Sequence, residues 1–353
     1  MPWHRRLQRR LNRWFPPVWR ANVAVVVSAT LVTALAGLVA DDVLSKDGRI
    51  GLVWSRFIAM VVALVLLGVA LRYRGAVHRT TGTLFQVQVL DEKLADNRAT
   101  SRTEAELDRM AVRSITRWVD FRARTSACGV IELADVCQSV ADILEEQINS
   151  DSPEIGNTVA PVMVWPMAMA VGTQLPHGDR LQLQELQDDN GNPTNLIPLL
   201  QPARPLVQKP LDIPGGPTDT GHLGVWIALT VAAGHFDGDR RWPELGVTDG
   251  FRLTLGPDLP HAPSLTNEDI AGLGAAIATR VVTIRNAHPD REMVMVAMMT
   301  KIVAMAVGWH VSQAKCRFFH RTHLMWFDPE VSRLVPMRVK EQQPGRAPGP
   351  VHA

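Results

Sequence analysis

Paired cysteines are missing from this chain. Its three cysteines, Cys128, Cys137 and Cys316, are odd in number and share no regular spacing, which excludes a disulfide framework and suits reduced, cytoplasmic thiols. Also absent are a G-x-S-x-G elbow, a P-loop, an H-E-x-x-H pair and a C-x-x-C pair, so the common hydrolase, nucleotidase and zinc-protease chemistries have no signature. An excess of one charge is lacking too. Lys and Arg number 37 against 35 Asp and Glu, and much of the basic excess lies near the N-terminus, which leaves no broad cationic field for duplex nucleic acid. Cys316, His320 and His323 invite a metal reading, but a strand-like run alternates its sides and no fourth ligand is at hand, so neither a metal nor a cofactor is predicted.

Charge is missing most conspicuously from Ala21 to Ala40, twenty residues that reach across a bilayer core at about 1.5 Å per residue in a helix. A second span is predicted from Phe57 to Leu71, extendable back to Ile50 if Arg56 snorkels beside Trp54. Arg56 is then either an interface anchor or a charge that draws water into a helix bundle. Arginines precede the first span (Arg5, Arg6, Arg9, Arg10, Arg13, Arg20) and follow the second (Arg72, Arg74, Arg79), whereas Asp41, Asp42 and Asp47 populate the loop. Both ends are expected in the cytoplasm, on a multi-pass inner-membrane anchor. A cleaved signal peptide fits less well, since the apolar run is long and a second one follows at once. Small residues four apart, Ala24 with Ser28, Ala36 with Ala40 and Ala59 with Ala63, would let the helices approach.

Beyond the anchor, one stretch is spelled twice. Met163-Val-Trp-Pro-Met-Ala-Met-Ala-Val-Gly172 returns as Met299-Thr-Lys-Ile-Val-Ala-Met-Ala-Val-Gly308, a gapless spacing of 136 residues. Downstream, Leu183 falls opposite Phe319, and Asn195-Leu-Ile-Pro-Leu199 matches Arg333-Leu-Val-Pro-Met337. An amphipathic helix precedes each copy, marked by Leu133, Val136, Val140, Ile143, Leu144 and Ile148, then by Ile270, Leu273, Ile277, Val281 and Ile284. Before each helix the pattern predicts a strand, Ile115–Phe121 and Val225–Val231. The order reads as βαβ, so the fold class is a transmembrane α-helical hairpin plus an α/β domain of two duplicated Rossmann-like halves. Such halves pack about a pseudo-two-fold axis, where a crevice suits a roughly symmetric ligand.

The predicted organisation is a basic tail (1–20), the hairpin (21–71), a polar connector (72–111), the first half (112–200), a Pro-rich joint (201–221), the second half (222–340) and a disordered tail (341–353). Within the connector, Thr103-Glu-Ala-Glu106 has the form of a capping box. The joint holds five prolines and two glycines between Pro202 and Pro217, which no helix or central strand accommodates.

Candidate ligand contacts cluster where each repeated helix begins. Thr300 would cap the second helix, with Lys301 and the free amides favouring a phosphate. In the first half the same place holds Trp165-Pro166, where Pro suits a first turn and Trp165 could stack on a nucleobase. The competing view is a capped helix with a solvated Lys301 and a core Trp165. Arg122 and Arg124, and Gly234-His235 with Arg240 and Arg241, would face the same mouth or lie on the surface. His235, Asp237 and Asp239 also have the form of an acid/base group or of an ordinary turn.

From Val225-Trp-Ile-Ala-Leu-Thr-Val231 through Met299-Thr-Lys301 and Ala304-Met-Ala-Val-Gly308 to Leu334-Val-Pro336, the second half resembles the SAVED domain, a fused pair of CARF-like units. With two N-terminal spans, the chain is similar to two-transmembrane SAVED effectors of CBASS anti-phage systems. The resemblance covers about residues 112–340. It implies a sensor, not an enzyme, that binds a cyclic di-, tri- or tetranucleotide, self-associates and disrupts the bilayer. Thr300-Lys301 matches the polar-basic ligand contact of CARF-like units; Trp165-Pro166 departs from it. A membrane-tethered nucleotide-processing enzyme and a protein-binding scaffold are the other classes that the residues admit.

Overall fold

The structure, a computed structural model, describes residues 17–44, 50–80, 82–91, 96–108, 110–151, 156–177, 181–186, 197–199, 203, 205–214, 220–229, 241–255, 267–314, 317–328 and 332–350. Contacts divide the chain into one compact unit of Met1–Leu84, Arg102–Val112 and Ser152–Gly156, and a second of Phe85–Ser101, Arg113–Asp151 and Asn157–Ala353.

In the first unit, α1 (Pro17–Leu44) and α2 (Ile50–Thr80) pack on each other. The less exposed positions of α2 are Arg56, Met60, Ala63, Leu67 and Ala70, alternately four and three apart, the spacing of a left-handed helix seam. Ala63 and Ala70 are buried on it, so the helices approach closely. On α1, Ala24 and Ser28 face the seam as expected, whereas Ala36 and Ala59 are exposed. Val26, Leu31, Ile58, Val62, Val65 and Val69 point outward and are exposed. Among the described residues one stretch, Trp54–Arg74, is long and apolar enough to cross a membrane; Val23–Val39 is a shorter apolar helix. Arg56 lies on the seam side of α2, not on its apolar outer face.

The elements after the helical pair repeat one plan. A five-stranded sheet has the order β2-β1-β4-β5-β6, and a seven-stranded sheet the order β3-β12-β11-β10-β8-β9-β7. The first comprises β1 (Thr83–Leu90), β2 (Ala111–Trp118), β4 (Asn157–Val162), β5 (Leu181–Leu183) and β6 (Ile197–Pro198). The second comprises β3 (Ile131–Glu132), β7 (Val207–Pro210), β8 (His222–Ala228), β9 (Val247–Thr254), β10 (Met293–Met298), β11 (Thr322–Asp328) and β12 (Arg333–Arg338). Helices α3 (Arg98–Asp108), α4 (Ala134–Ser150) and α5 (Trp165–Gly172) accompany the first, and α6 (Asn267–Ala287) and α7 (Lys301–Gln313) the second.

The 136-residue spacing recurs in the element bounds: β2 and β9, β4 and β10, and the starts of α5 and α7 are all related by it. Because α7 has 13 residues and α5 has 8, the spacing widens afterwards. Leu181, which opens β5, therefore corresponds to Thr322, which opens β11, while Phe319 lies in the preceding turn and not opposite Leu183. In both halves the fourth strand (β5, β11) is parallel to its inner neighbour (β4, β10) and the last one (β6, β12) returns antiparallel.

Two strand assignments need correction. The strand around Ile115 is β2, the sheet-edge counterpart of β9; the counterpart of β8 is β1, inside the segment read as a connector. All eight residues of β1 are buried, including Gln86 and Gln88, which interrupt the apolar pattern. Gln88 is fully paired and Gln86 is paired through its oxygen, while the buried Nε2 of Gln86 has no partner among the described residues. Gln86 Oε1 accepts from Ser101 Oγ (2.6 Å) and Ser114 Oγ (3.1 Å), and Gln88 Nε2 donates to Thr116 Oγ1 (3.1 Å), so these buried atoms keep partners. Thr103 lies inside α3, not at its start, and Asp96 Oδ1 accepts from Arg98 N at the true beginning.

The Pro-rich joint contains β7, whose Pro210 is tolerated because the strand closes the sheet edge against β9. The C-terminal tail is ordered as far as Pro350 rather than disordered. Gln343 is buried; its Oε1 accepts from Val339 N (2.7 Å) and Lys340 N (2.9 Å), and its Nε2 donates to Thr322 O (3.0 Å), so one side chain fastens a Gly/Pro-rich segment to β11. Strand β10 is buried on both faces, with Met293, Met295 and Ala297 in the large core that spans both halves and Val294 and Val296 in a smaller cluster with Trp226 and Trp242. That double burial explains its unbroken apolar run.

Candidate functional site

Helices α5 and α7 cross at the centre of the second unit. A Cβ on Gly172 would collide with the carbonyl of Met305, and a Cβ on Gly308 with the carbonyl of Met169. These four residues are each other's counterparts, so residue i touches j while the counterpart of i touches the counterpart of j. Such reciprocity defines a pseudo-two-fold axis. The repeated Met-Ala-Val-Gly text is thus the axial contact, where missing side chains let two backbones meet.

Around this crossing, each helix reaches the other half's sheet: α7 touches β4, and α5 touches β11. Thr300 is the N-cap of α7 and its side chain accepts from Val303 N (3.5 Å), as its sequence position suggested. Lys301 does not stand free in solvent. Its Nζ lies 3.2 Å from Oε1 of Glu185, just beyond the carboxyl end of β5, with the two side chains 24% and 20% exposed. One ion pair therefore ties the helix start of the second half to the strand end of the first. Burial pushes the Glu185 carboxyl above its ordinary range, and Lys301 pulls part of that shift back.

The counterparts of Lys301 and Glu185 are Trp165 and Trp326. Trp165 opens α5 with Pro166 in its first turn, and both are buried. The indole Nε1 of Trp165 is buried without a hydrogen-bond partner, a costly state for a donor. So is the side-chain amide of Gln184, the neighbour of Glu185, on both its oxygen and its nitrogen. Trp326 meets Phe121 edge-to-face at 5.8 Å, and Arg241 lies over the ring of Phe327, 5.8 Å from its centroid. The structure thus places Phe121, and with it the turn holding Arg122, beside the carboxyl end of β11. Arg122 is exposed. Arg124 is committed elsewhere: its Nη1 donates to both carboxylate oxygens of Asp135 (2.7 and 2.9 Å), and that guanidinium holds Asp135 below the usual carboxylate range. Gly234, His235, Asp237, Asp239, Arg240 and Cys316 lie outside the described residues.

A second polar cluster escaped the sequence reading. His222 opens β8, Glu292 immediately precedes β10 and His323 lies at the start of β11, so three adjacent strands bring them together. His323 Nε2 is 3.1 Å from Glu292 Oε2, His222 Nδ1 is 3.7 Å from the same oxygen, and Arg346 of the tail donates to Glu292 Oε1 (2.9 Å). Burial holds both imidazoles below their ordinary pKa. For Glu292, burial raises the carboxyl, but the hydrogen bonds from His323 and Arg346 more than reverse it. A His or Glu at the start of each of three central strands is the signal that could have revealed it. Among the described residues no His/Cys/Asp/Glu group is arranged to hold a metal ion. An open cavity of about 400 Å³, lined by Arg317, Phe318, Phe319, His320 and Gln342, precedes β11, at the opposite edge from the helix starts.

No family model matches the chain, and no curated protein matches it. Among solved structures it is similar to the Cap4 SAVED/CARF-domain containing receptor of Acinetobacter baumannii with the cyclic trinucleotide 2′3′3′-cAAA, at 10% identity and a TM-score of 0.47, covering 82% of this chain and 62% of that one. The same receptor with 3′3′3′-cAAA gives 10% identity and a TM-score of 0.45, covering 80% and 61%. The Cap4 SAVED/CARF-domain containing receptor of Moraxella osloensis gives 7% and 0.40, covering 80% and 60%. The chain therefore spans about three-fifths of the length of these receptors.

Proposed function

We propose that this chain is a membrane-anchored receptor for a cyclic oligonucleotide, acting by binding and not by turnover. The reciprocal packing of Met169 on Gly308 and Gly172 on Met305 carries the reading. It sets two α/β halves about an axis, with a helix start of each half brought to the opposite sheet, and a ring of repeated phosphates and bases has matching pseudo-symmetry. The ligand class follows the resemblance of the second half to SAVED domains. Thr300 and Lys301 supply a polar, cationic helix start for a phosphate, and the partly exposed Trp326, packed on the buried Phe121, supplies aromatic surface for a base, with the buried Trp165 as the second aromatic candidate.

Ligand binding then drives self-association. Its differential affinity for the assembled state shifts the population, and a shared membrane raises local concentration. Assembled hairpins disrupt the inner membrane, and the infected cell is sacrificed in anti-phage defence. Both termini are cytoplasmic in this reading, with α1 as the partner span of α2. The test is dye release from anionic-lipid vesicles that hold the full chain. Release on adding a cyclic oligonucleotide, with the nucleotide recovered intact, supports the proposal; hydrolysed nucleotide without release supports the enzyme reading instead. Arg56→Lys should still permit release if Arg56 needs only its charge.

A further inference from the structure

At Lys301 the receptor already holds an anion of its own. The Nζ of Lys301 contacts Oε1 of Glu185 at 3.2 Å, and neither side chain is more than a quarter exposed. Two physical observations argue against a pair that exists for packing alone. A partly desolvated ion pair is a weak stabiliser compared with apolar residues of similar size. The other half of the same chain, moreover, fills the counterpart positions with Trp165 and Trp326, so the fold accepts aromatic residues there.

The location is informative as well. Lys301 is the first residue of a 13-residue helix capped by Thr300, where the helix dipole favours a negative group. The unpartnered, buried amide of Gln184 adjoins Glu185 in sequence, and the unpartnered indole N–H of Trp165 marks the counterpart helix start. Buried donors and acceptors without a protein partner are groups that a polar ligand satisfies.

Building on the proposed function, we infer that Glu185 is a placeholder: its carboxylate occupies the position at Lys301 that a ligand phosphate takes, and binding expels it from that contact. A phosphate offers more negative charge and more acceptor oxygens than one carboxylate, so it wins the cation. Lys301 is the cation that supports the Glu185 carboxylate against burial. Once Lys301 turns to the phosphate, the largely buried carboxylate loses that cation's support and takes up one proton from solvent. Binding by the wild type is accordingly coupled to proton uptake and tightens as pH falls toward the carboxyl range.

The experiment uses the full chain in detergent micelles, titrated calorimetrically with tripolyphosphate as a plain polyanion and with 3′3′3′-cAAA as a cyclic oligonucleotide. Glu185→Gln keeps the shape and removes the charge. It should bind tripolyphosphate about ten-fold more tightly than the wild type, the effect of one charge-assisted contact, and adding Lys301→Ala should abolish the gain. No gain in Glu185→Gln, including no binding by either protein, overturns the inference. Should the variant fold poorly, the wild type alone decides in two buffers of different protonation enthalpy: proton uptake on binding supports the placeholder, and none overturns it. Tighter tripolyphosphate binding without any response to cyclic nucleotides would sink the ligand class and keep the placeholder. Equal cyclic-nucleotide affinity in both proteins without proton uptake would do the reverse.

Discussion

The two helix starts of the α/β domain occupy equivalent positions and have opposite chemistry. In the second half the position holds Lys301, neutralised by Glu185 of the first; in the first half it holds Trp165, and Trp326 stands at the position equivalent to Glu185. The crossing of α5 and α7 has stayed symmetric, with Met169 on Gly308 and Met305 on Gly172. Both halves thus share what the axis needs, a backbone-to-backbone approach, while their mouths differ. A charged mouth and an aromatic one suit the two components of a nucleotide, phosphate and base.

The largest effect should come from the part that stayed symmetric. Gly172→Val and Gly308→Val each force a side chain into a carbonyl across the crossing, where nothing flexible is available to yield. Each should cost about 3 kcal/mol or somewhat more, at the upper end of overpacking, in urea unfolding of the full chain. A large loss at one glycine with tolerance at the other would break the reciprocity.

Next come the mouths. Lys301→Ala should weaken cyclic-oligonucleotide binding by about 1.5–3 kcal/mol, roughly ten- to a hundred-fold, with a smaller loss for Thr300→Ala. Trp165→Ala should lose about 1–3 kcal/mol if a base stacks there. Binding that depends on one mouth and ignores the other would reduce the site to a single half.

Much of this was legible because the repeat is gapless where it matters. Its 136-residue register predicts the bounds of β4 against β10 and the starts of α5 and α7. It failed where local polarity hid burial. Gln86 and Gln88 made β1 look like a connector, since only the fold supplies Ser101, Ser114 and Thr116 as partners. A chain begun near Thr103 would thus lose a central strand along with the hairpin. The tail was misread for the same reason, because Gln343 replaces the missing regular structure with side-chain hydrogen bonds. Glu185 gave no signal at all: nothing in a sequence places it beside a lysine 116 positions away.

A smaller effect contrasts the carboxyl edge with the opposite one, where His222, His323, Glu292 and Arg346 hold the tail, flanked by Arg291 and Asp249. With both imidazoles neutral, these two carboxylates and two guanidinium groups balance. Because burial depresses the histidines in the folded protein, the unfolded chain binds more protons as pH falls through about 6.5, and stability falls in that direction. Glu292, also depressed, contributes only at more acid pH. Protection factors of the amides in residues 341–350, taken against the intrinsic exchange rate at each pH, should fall between pH 7.5 and 5.5, and His323→Gln should flatten the change; pH-independent protection would contradict the balance. The smallest effect belongs to Arg124→Ala, whose exposed pair with Asp135 should be worth less than about 1 kcal/mol and should leave ligand binding unchanged.

The stoichiometry of cyclic-oligonucleotide binding to the full chain tests the shared, asymmetric crevice most directly. Calorimetry should give one ring per chain, with Lys301→Ala and Trp165→Ala weakening that same event and the nucleotide recovered intact. Two rings per chain, a ring that senses only one of the two residues, or no saturable binding to any cyclic di-, tri- or tetranucleotide would contradict it.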